Sequence, residues 1–380
     1  MAIGGASTAF SSPLYINPAN PASYMAFDST SFVFDAAFNL RSGTMTTIDQ
    51  SQKTSYGSIS NLYFGFPIAK WWRTSLGLMP YSNVGYEIRS NRTLTDFGNT
   101  ATIYKGYGGL NKVYFGNAFS IAKGLSFGFN ASYLFGTIVK QEALTCPDSA
   151  YFFNTMNKSS VRLNKLVYDA GLIYHRNLKD GKFYQIGLTF SPKQKIDGLA
   201  ETTVYTYLYN YSSELESPKD TLSHTIGNNG IVSLPTSVGA GFMFGSTNRW
   251  FAIADITYQK WSEFTYLGSN PGLRDSYKFS LGGQFRPSAV DIGKYFDRVN
   301  YRAGLRFEQG YLELQNTRIN DLGVSFGVGL PMKKSKSTLN LAVELGTLGT
   351  TNNGLIKENY VRFTIGTSLQ ERWFLKRRFN

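Results

Sequence analysis

The residues of this chain that could do chemistry are charges an even number of positions apart within alternating runs, and the chemistry they offer is anion recognition rather than catalysis. Arg302, Arg306 and Glu308 share one face of an alternating run, and Glu344 and Arg362 take matching positions in two later runs. Asp35, Asp169, Asp255, Lys278 and Arg286 fall on comparable faces. On adjoining strands such charges form ion pairs that satisfy a polar interior. A second reading is a basic constriction that attracts a carboxylate-bearing amphiphile, because guanidinium grips carboxylate in a two-pronged fork. Arg302 and Arg306 are its first candidates. Histidine is scarce, with His175 and His224 only, and neither is spaced to form a pair with a serine or an aspartate. No metal-ligand cluster and no phosphate-cradling glycine loop is present in the sequence, so neither an enzyme nor a cofactor is expected. The single cysteine, Cys146, sits in a polar Thr145–Cys146–Pro147 stretch and is expected to be a loop thiol without a role.

The elements that must position these charges are strands. In residues 360–369, Val361, Phe363, Ile365 and Leu369 fall on one face, and Arg362, Thr364, Gly366 and Ser368 on the other. An apolar row backed by a polar, glycine-rich row is what a strand between lipid and a watery lumen requires. The pattern recurs at 32–41, 56–66, 74–88, 110–121, 125–139, 161–175, 183–195, 231–244, 250–261, 275–286, 300–311, 321–331 and 338–348. With 360–369 the runs number about fourteen, an even count as a single-chain barrel needs. The expected fold is all-β: a closed antiparallel transmembrane β-barrel over residues 31–380, preceded by a short segment, 1–30, inside or under it.

Connections support this reading. Those after even runs are mostly short (67–73, 122–124, 177–182, 245–249, 332–337), and those after odd runs are longer and more polar (42–55, 89–109, 140–160, 196–230, 262–274). Short turns on one side and long loops on the other mark an outer-membrane barrel, with both termini on the periplasmic side. Trp71, Trp72, Trp250, Trp373 and Phe374 fall at the short-turn ends, and Trp261 and Tyr266 at the other, as interfacial girdles do.

Composition narrows the classes. The chain of 380 residues is 16% aromatic and 17% charged with 38 glycines, less charged than the roughly 25% of a soluble domain. No stretch of about 18 apolar residues offers a membrane helix. The net charge of +13 is spread over turns, inner faces and the tail Lys376–Arg377–Arg378 rather than gathered into a base-reading patch. Nucleic acid is therefore not an expected partner; the lipid of an outer membrane is. Residues 1–5 carry no basic and apolar export signal. Export then requires a trimmed or misassigned start.

The segment Gly4–Gly5–Ala6, Tyr15–Ile16–Asn17–Pro18–Ala19 and Pro21–Ala22–Ser23 resembles the N-terminal hatch of the FadL family, and the tail around Arg372–Trp373–Phe374 looks like its Bacteroidota branch. The resemblance implies a fourteen-stranded outer-membrane barrel that takes up hydrophobic compounds, with Asn17, Pro18 and Ala19 in the hatch. It also implies a kinked third strand that opens the wall sideways. Pro80, Tyr81 and Ser82 occupy that place, and a proline in mid-strand predicts broken pairing, whether as a lateral opening or as a plain bulge. The chain departs from the family in its short hatch and in the absence of a matching external capture site. Residues 196–230, with Tyr205, Tyr207, Tyr209 and Tyr211, are either a candidate for that site or strands continued beyond the membrane. Two functions follow: passive uptake of a hydrophobic small-molecule ligand, or a non-transporting subunit of an outer-membrane assembly or secretion complex. A general porin is disfavoured by the plugging segment.

Overall fold

In the computed structural model the described residues are 2–95, 98–146, 153–210, 215–289, 294–333 and 335–372. They form sixteen strands. These are β1 (Ser31–Thr46), β2 (Ser51–Ala69), β3 (Trp72–Leu94), β4 (Gly98–Ala122), β5 (Leu125–Thr145), β6 (Asn154–Asn177), β7 (Lys182–Ser191) and β8 (Gln194–Asn210). There follow β9 (Leu215–Leu234), β10 (Ser237–Ser246), β11 (Trp250–Gln259), β12 (Ser276–Phe285), β13 (Asn300–Leu314), β14 (Thr317–Pro331), β15 (Thr338–Gly349) and β16 (Lys357–Arg372).

Fourteen of them make the wall. Neighbours pair antiparallel from β1 to β7, β7 pairs with β10, and the series continues to β16. The ring closes through β1 and β16, in register from Ser31 opposite Arg372 to Thr46 opposite Lys357. The sixteenth strand therefore has two neighbours, β1 and β15, and no edge of its own. In hydrocarbon that closure is obligatory, because unpaired backbone groups find no water there.

β8 and β9 stand outside the ring. They form a hairpin that pairs with Asn154–Leu163 of β6. Residues 196–210 and 215–230 are thus strand rather than loop, in line with the second reading of the tyrosines; Tyr211 and the Tyr209 side chain lie outside the description. Two expected runs are also cut: 183–195 breaks at Pro192 and 231–244 at Pro235, each a residue with no N–H for the ladder. Much of what read as long polar loop is strand that rises beyond the membrane. β4 has 25 residues and β6 24, while β10, β11 and β12 have 10 each. The wall is therefore tall on one side and low on the other.

The two faces follow the period of two. Phe279, Leu281, Leu305, Phe326, Phe363 and Ile365 point outward and are exposed. Ser280, Ser325 and Ser368 point inward and are buried. No helix is long and apolar enough to cross a membrane among the described residues, and the helices present are short 3-10 turns that cover none of this apolar wall. An apolar belt of this extent is stable only against lipid. Trp71, Trp72 and Phe119 stack at about 6.0 Å at a short-turn end, where girdle residues belong. Trp373, Phe374 and the basic tail lie outside the described residues.

Candidate functional site: the lumen and the gap in its wall

Residues 2–27 run through the lumen, and polar inner-face side chains hold their backbone. The Gly4 amide donates to Ser325 Oγ at 3.0 Å, and the amides of Ser7 and Thr8 donate to Asp255 Oδ2 at 2.5 and 2.6 Å. The Ile16 amide donates to Asp35 Oδ2 at 2.5 Å. In the other direction Gln185 donates to the Ala9 carbonyl and Asn130 to that of Pro18. Asn20, fully buried, donates to the carbonyls of Thr8, Leu172 and Leu188, so it ties the segment to β6 and β7. Of the residues expected in a hatch, Asn17 staples the segment to itself by donating to the Ser7 and Phe10 carbonyls, while Ala19 is exposed to the lumen.

Space for this backbone comes from inner-face glycines. A methyl group at Gly304 would overlap the Gly4 backbone, and one at Gly187 would overlap the Thr8 carbonyl. At one end Tyr24 packs with Phe27, Val33, Tyr63 and Tyr114, its hydroxyl donating to Asn130 at 2.8 Å. At the other, Ile3, Ala6 and Ala9 pack against Met243 and Ile253.

The segment leaves a cavity of about 600 Å³ beside it. The cavity is bounded by Ala2, Phe10, Tyr15 and Ala19 on one side and reaches Ile59, Asn61, Met79 and Pro80 on the other. There the wall is split. β2 pairs with β3 only from Ala69 opposite Trp72 to Leu62 opposite Leu78. Above this point β2 stays with β1 and β3 with β4, and among the described residues no strand pairing joins the two. Each arm carries a bulge at the split: Ser60 is the extra residue of β2, and Tyr81 that of β3, between Pro80 opposite Asn111 and Ser82 opposite Leu110. Proline at position 80, just past the last paired rung, has no N–H to offer the ladder.

The expected lumenal charges divide into two unlike groups. Arg306 is surrounded by acid: its Nη2 donates to Asp321 and Glu344 at 2.9 Å and to the Tyr360 hydroxyl at 2.7 Å, and Glu308 lies 3.9 Å from Nη1. Arg362 shares Glu344 at 3.5 Å. These residues satisfy one another. Arg302 differs. It donates to Gln284, Asn340 and the Tyr15 hydroxyl at 2.8, 2.9 and 2.7 Å, all neutral acceptors, and it lines the cavity. The sequence grouped Arg302 with Arg306 by face; β14 and β15 bring carboxylates to the second, whereas the first meets the amides of Gln284 on β12 and Asn340 on β15 and the Tyr15 hydroxyl of the N-terminal segment. Gln284 and Asn340 are not singled out by spacing, because each is one more polar residue in an inner row; Tyr15 stands in the hatch-like segment, where no spacing links it to Arg302. His175 is held by Gln185 and Asn177, and no group of three metal-ligating side chains occurs among the described residues.

A closed fourteen-stranded transmembrane barrel whose lumen carries its own N-terminal segment defines the class. Solved structures of the same architecture include a Pseudomonas aeruginosa FadL homologue, at 13% identity and TM-score 0.61, covering 98% of this chain and 96% of that one. The Ralstonia pickettii toluene transporter TbuX (14%, TM-score 0.59, 98% and 97%) and the Pseudomonas putida toluene transporter TodX (16%, 0.58, 98% and 96%) are likewise similar. At these identities the likeness speaks for the fold. No curated protein sequence matches. The sequence model of one family, described as BamG, matches residues 1–380, and the chain belongs to the BamG family.

Proposed function

We propose that this protein is an outer-membrane barrel that takes up hydrophobic or amphipathic small molecules passively, the N-terminal segment acting as hatch and the β2–β3 split as lateral opening. The observation that carries the reading is one cavity bounded by residues 2–19 and ending at Pro80, where wall pairing stops. A molecule dissolved in the outer leaflet enters sideways between Ile59 and Met79 without crossing the polar upper lumen. Arg302 faces the same space and pairs with no carboxylate among the described residues, so an acidic head group gains a charge-assisted partner there. The solved relatives named toluene transporters and a FadL homologue support the class of ligand. The test is accumulation of a fluorescent fatty acid by cells carrying the native chain against Ala37→Trp, which places an indole in the cavity wall. Equal accumulation would remove the reading.

Membership of the BamG family favours a second reading, a barrel subunit of an outer-membrane complex. The tall arms β3 to β6 with the β8–β9 hairpin give such a subunit surface beyond the membrane. Purification in mild detergent separates the two: stable recovery with other outer-membrane proteins and no lipid-like ligand supports the second reading.

A further inference from the structure

We infer that the β2–β3 split is a zipper with a second, closed state, in which the free arm of β2 pairs with the free arm of β3 and seals the wall. The inference rests on the lateral route proposed above and concerns its regulation. Its first ground is the cost of the open form. Eleven residues of β2 (51–61) and sixteen of β3 (79–94) have no partner on the facing side, and the part inside the outer leaflet has no water to pair with.

The second ground is phase. Below the split, paired residue numbers sum to 140, as in Leu62 with Leu78 and Phe64 with Leu76. A single bulge would throw the faces of two arms out of step, since one extra residue sends every later side chain to the opposite face. Here both arms have one, Ser60 and Tyr81, at the same level. They cancel. Continued upward, the same sum sets Ser58 against Ser82, Gly57 against Asn83 and Tyr56 against Val84.

The faces agree independently. Ser58 and Tyr56 lie opposite Asn39 and Arg41 of β1, and Arg41 points into the lumen to bind Glu358 at 2.8 Å. Ser82 lies opposite Leu110, which is buried inside. Ser58, Tyr56, Ser82 and Val84 therefore share the inner face. On the outer face the same register brings Lys53 opposite Glu87, a favourable cross-strand pair. In the open form Glu87 is held instead by Lys105 at 3.2 Å with both side chains half exposed, a partner it gives up at small cost. Nothing in the sequences of the two arms opposes closure except Pro80, which sits at the hinge.

Paired cysteines test this in outer membranes, in a Cys146→Ser background so that no other thiol is present. Ser58→Cys with Ser82→Cys and Gly57→Cys with Asn83→Cys are neighbouring rungs, of which one is a non-hydrogen-bonded pair suited to a disulfide. Ser58→Cys with Asn83→Cys is the out-of-phase control. A heat-dependent gel shift verifies that each variant is folded. The expected result is oxidant-dependent cross-linking of at least one in-phase pair, tenfold above the control. Absence of cross-linking in both in-phase pairs, or equal cross-linking in the control, overturns the closed state. Uptake before and after reduction then tests the lateral route separately. A cross-linked barrel that still accumulates the fatty acid keeps the zipper and removes the route.

Discussion

Asp255→Ala cuts the grip on the first turn of the N-terminal segment without touching the wall. The carboxylate accepts two backbone amides, from Ser7 and Thr8, through a single oxygen. Hydrogen bonds to an ionised acceptor contribute about 1.5–3 kcal/mol each, so the pair holds the segment by about 3–6 kcal/mol. Other anchors remain on either side, Ser325 at Gly4 and Gln185 at Ala9, so the loss is local. At about 1.4 kcal/mol per tenfold change, local opening of residues 4–10 should rise by roughly 100-fold or more. Hydrogen exchange of the N-terminal peptide, read by mass spectrometry in nanodiscs, measures this directly. Faster exchange confined to that peptide, with β10–β12 unchanged, is the expected result. Unchanged exchange at Ser7 and Thr8 would refute the reasoning that Asp255 carries the segment.

Arg306→Met should lower unfolding stability by about 3–5 kcal/mol, because Asp321 loses its cation and Glu344 keeps only Arg362 at 3.5 Å; urea unfolding followed by tryptophan fluorescence gives the value. Arg302→Gln should cost an acidic amphiphile about tenfold in uptake and leave an uncharged one within about twofold, since only the charge-assisted contact is removed. Competition between a fatty acid and its methyl ester measures the difference. Gln194→Leu should speed exchange of the Tyr168 amide. In the native chain the Gln194 side chain stands in for a strand, accepting from the Tyr168 N–H at 2.7 Å and donating to its carbonyl at 3.0 Å where β6 passes from β7 to β8. An unchanged Tyr168 amide would show that the ladder there closes without it.

The strand count was legible because the period of two is imposed by two solvents, lipid outside and a polar lumen inside. Each of the fourteen runs carries it, and even the cuts at Pro192 and Pro235 leave the ring order intact. Strand length was not legible. Beyond the membrane both faces of the upper part of β3 meet water, alternation fades, and polar strand reads as loop. The interruption at Pro80 was visible because proline lacks a donor, but the matching bulge at Ser60 was not; serine carries no such mark. Among the lumenal charges, face could be read and partnership could not. Whether Arg302 meets a carboxylate depends on what Asn340 and Tyr15 bring across the lumen, and that is set by tertiary pairing over more than 280 positions in the case of Tyr15.

The lateral route from leaflet to lumen is tested most directly by dansyl-undecanoate accumulation in Gram-negative cells that lack a hydrophobic-compound channel of their own. Cells carrying the native chain should accumulate the acid at least several-fold faster than cells carrying Ala37→Trp at equal outer-membrane abundance. Equal rates in the two would contradict it.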